Sequence, residues 1–150
     1  LNAEQKAQRL KSKHWKKYLL SSLIPDNYWV GQQTAKALLE AGNHQAGDVM
    51  MISGDKTTPA SKQRQAGATD YFNSKVHINL KYELYADWNQ ALSYQKSHVL
   101  IGRSKNLKYI WTANDLMAFG SIEALKELAL KKPKEISVLG AGILRLRGGR

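Results

Sequence analysis

Apolar positions along the chain follow two alternating rhythms. The run Asp48-Val49-Met50-Met51-Ile52-Ser53 is short, continuous and apolar, the pattern of a strand buried on both faces. Residues 76–84 alternate instead, with His77, Asn79 and Lys81 on one side and Ile78, Leu80 and Tyr82 on the other, the two-residue period of a strand. Residues 109–112 and 136–139 are two further short apolar runs that read as strands. Between them the period lengthens to that of a helix. Val30, Thr34, Leu38 and Ala41 share one face of a helix over residues 28–41. Further helices are predicted over 60–73, 88–100 and 116–130, the last with Leu116, Phe119, Ile122, Ala124, Leu125 and Leu128 available for packing. Local punctuation agrees with these limits. Pro25 turns Ile24 away from helical backbone, Asp26 or Asn27 is suited to cap the first helix, Gly42 to end it, and Asn114-Asp115 to cap the last. Residues 54–59 and 103–108 read as loops.

Strands that alternate with helices of this length predict an α/β fold: a three-layer sandwich around a mainly parallel sheet. Ligands of such sheets bind at the carboxyl ends of the strands. That rule selects the loops after Ser53, Leu84, Thr112 and Leu139.

Composition narrows the function classes. The 150 residues suit one domain. The net charge is +11, but it is concentrated at the ends. Residues 1–20 carry Lys6, Arg9, Lys11, Lys13, Lys16 and Lys17 against Glu4, and residues 131–150 carry Lys131, Lys132, Lys134, Arg145, Arg147 and Arg150 against Glu135. The stretch between is close to neutral. Trp15 and Tyr18 lie among the N-terminal lysines, yet a solvated basic segment explains residues 1–24 better than a nucleic-acid footprint, which requires a basic stripe on a defined face. There is no cysteine, which excludes disulfides, thiol nucleophiles and cysteine-based zinc sites. The four histidines lack metal-ligand spacing, so no metal or other cofactor is expected. Gly54 to Lys62 lacks the glycine pattern of a phosphate loop, and Gly140-Ala141-Gly142 lacks the third glycine of a dinucleotide fingerprint. Ser53-Gly54-Asp55-Lys56 and Ser93-Tyr94-Gln95-Lys96 match Ser-x-x-Lys without its companion motifs. The expectation is a protein that is not an enzyme.

Several short motifs fall in a shared order. They are Pro25-Asp26-Asn27-x-x-x-Gly31, Ile52-Ser53-Gly54, Arg64-x-x-Gly67, Trp88, Ala113-Asn114-Asp115-x-Met117-Ala118-x-Gly120, and Ser137-Val138-Leu139-Gly140. In this order and spacing the chain resembles the type I periplasmic sugar-binding proteins, whose pattern is shared by the ligand-binding cores of lac-repressor-type regulators. The resemblance covers about residues 24–140. Arg-x-x-Gly alone is unspecific; the block from Ala113 to Gly120, in register with the others, carries it. Members have two α/β lobes with ligand held between them, and this chain is similar to the second lobe only. The implied organisation is a basic leading segment (1–24), a ligand-binding lobe (25–140) with Asp26 and Asn27 at the hinge, and an atypical basic tail (141–150). The start at Leu1 rather than Met and the absence of a first lobe are read as signs of a truncated chain.

The resemblance implies a binding function for a small polar solute such as a sugar, with a membrane transporter or sensor kinase as partner and a periplasmic location. A transcription regulator's effector core is the alternative. It also implies roles for residues. Arg64 would offer its donor fork to sugar oxygens; as an isolated residue it reads more readily as a surface arginine, since arginine is mostly exposed. Trp88 would cover the apolar C–H face of a sugar ring, or else fill a core. Asn114 would serve adjacent hydroxyls while Asp115 caps the helix, although Asn114 is itself a good cap. Asp55 and Thr57, in the loop after the first strand, are further candidates. One departure stands out: members carry Gly-x-Asp after the last strand, and here that aspartate position is Gly142. A single lobe leaves a ligand half enclosed and apolar surface uncovered, so weak affinity and self-association are expected.

Overall fold

The structure is a computed structural model that describes residues 26–132 and 135–140, and the backbone of 145–147. Helix α1 (Asn27–Ala41) leads into strand β1 (Gly47–Ser53). Then follow α2 (Pro59–Asn73), β2 (Ile78–Tyr85), α3 (Gln90–Arg103), β3 (Leu107–Thr112), α4 (Asp115–Lys131), β4 (Ser137–Gly140) and β5 (Arg145–Arg147). The sheet order is β2-β1-β3-β4-β5. Its first four strands run parallel, and β5 pairs antiparallel with β4. The α/β fold read from the sequence is the fold observed. The basic leading segment and Gly142 lie outside the described residues.

Strand burial follows sheet position. β1 is an interior strand between β2 and β3 and every one of its residues is buried, as its unbroken apolar run requires. β2 is the edge strand and keeps the alternation, with Ile78 buried and Asn79, Lys81 and Glu83 exposed. On β3, Tyr109 and Trp111 point toward α1: the Tyr109 hydroxyl donates to the Gln45 carbonyl at 2.7 Å, and the Trp111 indole N–H to Thr34 Oγ1 at 2.9 Å. Strand alternation leaves Ile110 for the opposite face.

The helices pack in two pairs, α1 on α2 and α3 on α4, and each crossing is made close by glycine. A Cβ on Gly31 would lie 2.1 Å from the Arg64 carbonyl oxygen, and one on Gly67 2.0 Å from that of Tyr28. At the second crossing a Cβ on Gly120 would lie 2.3 Å from the Gln90 carbonyl oxygen. There Ser93, Ser97 and Ser121 are buried and bonded to one another. Small residues make this seam, so Leu116 and Phe119, offered by helical spacing for packing, stay exposed at 51% and 38%.

Two boundaries differ from expectation. Leu107 and Lys108 belong to β3 rather than to a loop, because Leu107 pairs with Asp48 and is buried. The third helix begins at Gln90, not at Trp88. Asp87 and Trp88 have φ of 50° and 58°, left-handed backbone that no helix continues from, and Asn89 provides the cap.

Candidate functional site

The chain leaves β1 for β2 on one side and returns to β3 on the other. The strand order thus reverses between β1 and β3, the place where ligand crevices open in α/β sheets. Helix starts and strand ends share this rim, and Arg64 spans it. Its Nε donates to Asn27 Oδ1 at 2.9 Å, and its Nη1 to the Ala113 carbonyl oxygen at 2.7 Å. The first residue of α1 is thereby tied to the residue after β3 through a side chain of α2. Nη2 has no protein partner among the described residues, and the half-buried guanidinium keeps donors for another oxygen. The glycine of Arg64-x-x-Gly67 has a structural role: it lets α2 approach α1 closely enough for Arg64 to reach Asn27.

Trp88 stands 6.0 Å from the Arg64 guanidinium carbon, measured to its ring centroid. Left-handed backbone is an outlier for so bulky a residue and costs on the order of 1–3 kcal/mol. The conformation lays the indole against Gly54, where a Cβ would come within 2.0 Å of the ring. The indole N–H donates to Asp55 Oδ2 at 2.9 Å.

Asp55 is heavily engaged. Its Oδ1 accepts from the Thr57 and Thr58 backbone N–H groups at 2.8 and 2.6 Å and from the Thr57 hydroxyl at 3.2 Å. Its Oδ2 accepts from the Thr58 hydroxyl at 3.0 Å as well as from Trp88. Its own N–H donates to Ser61 Oγ. The Thr58 backbone donor, followed by the Trp88 indole, holds this carboxyl well below the usual carboxylate range, against a smaller opposing effect of burial. Thr57 is exposed and its hydroxyl is directed at Asp55.

Asn114 caps α4: its Oδ1 accepts from the Met117 N–H at 2.9 Å. The capping role expected of Asp115 therefore belongs to Asn114, because Asp115 is already the first helical residue. The cap engages only the oxygen, and Nδ2 has no partner among the described residues. Its neighbour Ala113 is the one whose carbonyl holds Arg64. At the end of β4, a Cβ on Gly140 would lie 3.0 Å from the Asn114 carbonyl oxygen, so glycine brings that strand end against α4. Asp26 caps α1 through the Trp29 N–H at 2.9 Å and is exposed.

The structure thus joins Asn27, Asp55, Arg64 and Trp88 in one contact network, with Asn114 one residue from it. Thr57 and Asp26 stand at its margins. Two participants are not legible in the sequence. The Ala113 carbonyl is a backbone group that no side-chain pattern reports, and the motif order suggests a hinge for Asn27 but no bond to Arg64. At the end of β1 the Ser53 Oγ is buried with no hydrogen-bond partner among the described residues, a feature the sequence does not report. Among the described residues no group of three or more His, Cys, Asp or Glu is placed to hold a metal ion.

Residues 19–144 match the periplasmic binding protein domain. The chain belongs to this family. Among curated periplasmic relatives, the D-allose-binding periplasmic protein of Escherichia coli (strain K12) is 30% identical over 100 residues, covering 67% of this chain and 32% of that protein. The transcriptional repressor PurR of Histophilus somni (strain 2336), of the helix-turn-helix type, is 29% identical over 121 residues, covering 80% of this chain and 36% of the repressor. Among solved structures, a periplasmic solute-binding protein of an ABC transporter from Actinobacillus succinogenes 130z, with bound D-allose, superposes with a TM-score of 0.68 at 28% identity. That match covers 77% of this chain and 39% of the other. The chain spans about a third of the length of these curated relatives. They are solute-binding and regulatory proteins.

Proposed function

We propose that residues 25–140 form one lobe of a cleft that captures a small, polar, uncharged ligand, a sugar or sugar-like polyol, without chemical change. The observation that carries this reading is Arg64: it is fixed at two points to the rim, with Nη2 left for a ligand oxygen. Beside it, Asn114 has its amide donor in reserve and Trp88 offers an aromatic surface. A fixed donor fork, an amide and an aromatic plane together match the hydroxyls and the C–H face of a sugar. The D-allose-binding relative and the D-allose complex support the same ligand class. Asp26 and Asn27, at the entry to the lobe, would flex as it closes on ligand. On this reading the protein works in the periplasm, and closure signals to a membrane transporter or a sensor.

The second reading is the effector core of a transcription regulator, favoured by the match to PurR over 80% of the chain. Calorimetric titration with D-allose, other hexoses and polyols tests the ligand class, and the coding sequence upstream tests the first reading against the second. Weak sugar binding, as a single lobe allows, is expected to be abolished by Arg64→Met, and sugar binding that survives this replacement would overturn the reading. A signal peptide upstream would favour the first reading, and a DNA-binding motif there the second.

A further inference from the structure

We propose that Asp55 is a positioning residue of this site: its carboxylate grips the edge of the Trp88 indole, and Trp88 in turn bounds the space in which the Arg64 guanidinium, held by Asn27 and Ala113, stands. The proposal deepens the sugar-binding reading and rests on it for its functional meaning.

Position in the loop makes Asp55 a candidate ligand contact; its bonding gives it a different part. A carboxylate has about four lone-pair sites, and here five donors converge on it, four from Thr57 and Thr58 and one from Trp88. No acceptor capacity is left for a ligand hydroxyl. The two oxygens are also divided. Oδ1 holds the loop through two backbone N–H groups, and Oδ2 reaches the indole. The loop itself is fastened to α2 by the bond from the Asp55 N–H to Ser61 Oγ, so the indole is referenced to the same helix that carries Arg64.

Trp88 needs such a restraint. Its backbone is left-handed, a conformation that persists only where surroundings over-determine it. One surface of the ring rests near Gly54, and the guanidinium carbon of Arg64 lies 6.0 Å from its centroid. A ring that turned about its side-chain bonds would remove one boundary of the space in which Arg64 stands. The carboxylate of Asp55 accepts from Thr57, Thr58 and Trp88, while the bond to Ser61 is made by its backbone, so the side chain's direct route to Arg64 runs through the indole.

The test is nuclear magnetic resonance of the indole and arginine Nε–H groups of the 150-residue chain, without ligand. The variants are Asp55→Asn, Trp88→Phe and the double replacement. Asparagine keeps an acceptor for the two backbone N–H groups, which places its NH2 opposite the indole N–H. In Asp55→Asn the Trp88 indole N–H is expected to move upfield and to exchange with solvent about tenfold faster, as when a charge-assisted hydrogen bond is lost. The Arg64 Nε–H resonance should shift with it. In the Trp88→Phe background, Asp55→Asn should leave Arg64 unmoved. The Trp111 indole, bonded to Thr34 far from the loop in sequence, reports that the fold is intact in every variant.

An unchanged Trp88 indole in Asp55→Asn would overturn the proposal. An Arg64 shift that is equally large without Trp88 would also overturn it, since the effect would then travel through the loop. No ligand enters this measurement, so a sugar panel that fails leaves its outcome standing, and the two ideas fail separately.

Discussion

Gly31 and Gly67 face each other across the crossing of α1 and α2, each lying against the backbone of the opposite helix. Neither contact involves a flexible side chain that could yield. Gly67→Ala is therefore expected to push the helices apart and destabilise the protein by about 1–3 kcal/mol, the usual range for overpacking. The gain in helix propensity offsets up to about 1 kcal/mol of this. Urea denaturation measures the balance. Stability equal to or above that of the parent would show that the crossing has slack.

Arg64→Lys keeps the charge and loses the fork. The lysine cannot serve Asn27 and Ala113 together with a ligand oxygen. Each hydrogen bond to a charged group contributes about 1.5–3 kcal/mol, so a measurable loss of stability is expected, along with loss in calorimetric titration of the weak sugar binding that a single lobe allows. Retained binding would remove Arg64 from the site.

Thr34→Val removes the acceptor of the Trp111 indole N–H at nearly constant volume. Trp111 is fully buried, and an unsatisfied buried donor costs about 1–3 kcal/mol. Chemical denaturation should show this loss. The ligand-site resonances of Trp88 and Arg64 should not move, because Thr34 lies about two turns along α1 from Asn27.

Ser53→Ala should act in the opposite direction. Its hydroxyl is buried without a partner among the described residues, so deleting it removes an unfavourable group, and the stability is expected to rise by up to about 1 kcal/mol. A clear fall in the denaturation midpoint would mean that the hydroxyl has a partner in solution.

The Asp55 carboxyl is held below its ordinary range in the folded chain, chiefly by the Thr58 backbone N–H and next by the Trp88 indole. A lowered folded pKa gives stability that is present above the unfolded pKa, about 3.9, and lost as pH falls toward the folded value. The stability advantage of the parent over Asp55→Asn should therefore be constant near neutrality and shrink below about pH 4. Melting curves of the two proteins between neutral and acidic pH check this, and a gap that widens in acid would contradict it.

Hydrophobic rhythm is enough to read the eight elements between Asn27 and Gly140, because their buried faces are regular. Three features escape it for identifiable reasons. Trp88 looks like a helix start because periodicity is blind to the sign of φ. Asn114 and Asp115 are equally good caps as residue types, and only the backbone decides between them. The α3–α4 seam is built from Ser93, Ser97, Gly120 and Ser121, which register as polar or neutral in sequence although they are buried. The candidate site is legible as a set of residues, while its wiring through a backbone carbonyl and a loop carboxylate is not.

The left-handed backbone at Trp88 has an evolutionary consequence. Replacement by a β-branched residue would keep the torsional burden and lose the ring that compensates for it. Replacement by glycine would ease the torsion but leave a hole beside Gly54. Variation at this position should therefore be narrow, confined to flat rings that can still lie on Gly54. Among those, only one with a hydrogen to give would keep Asp55 engaged, so drift in the loop aspartate should accompany drift in the ring.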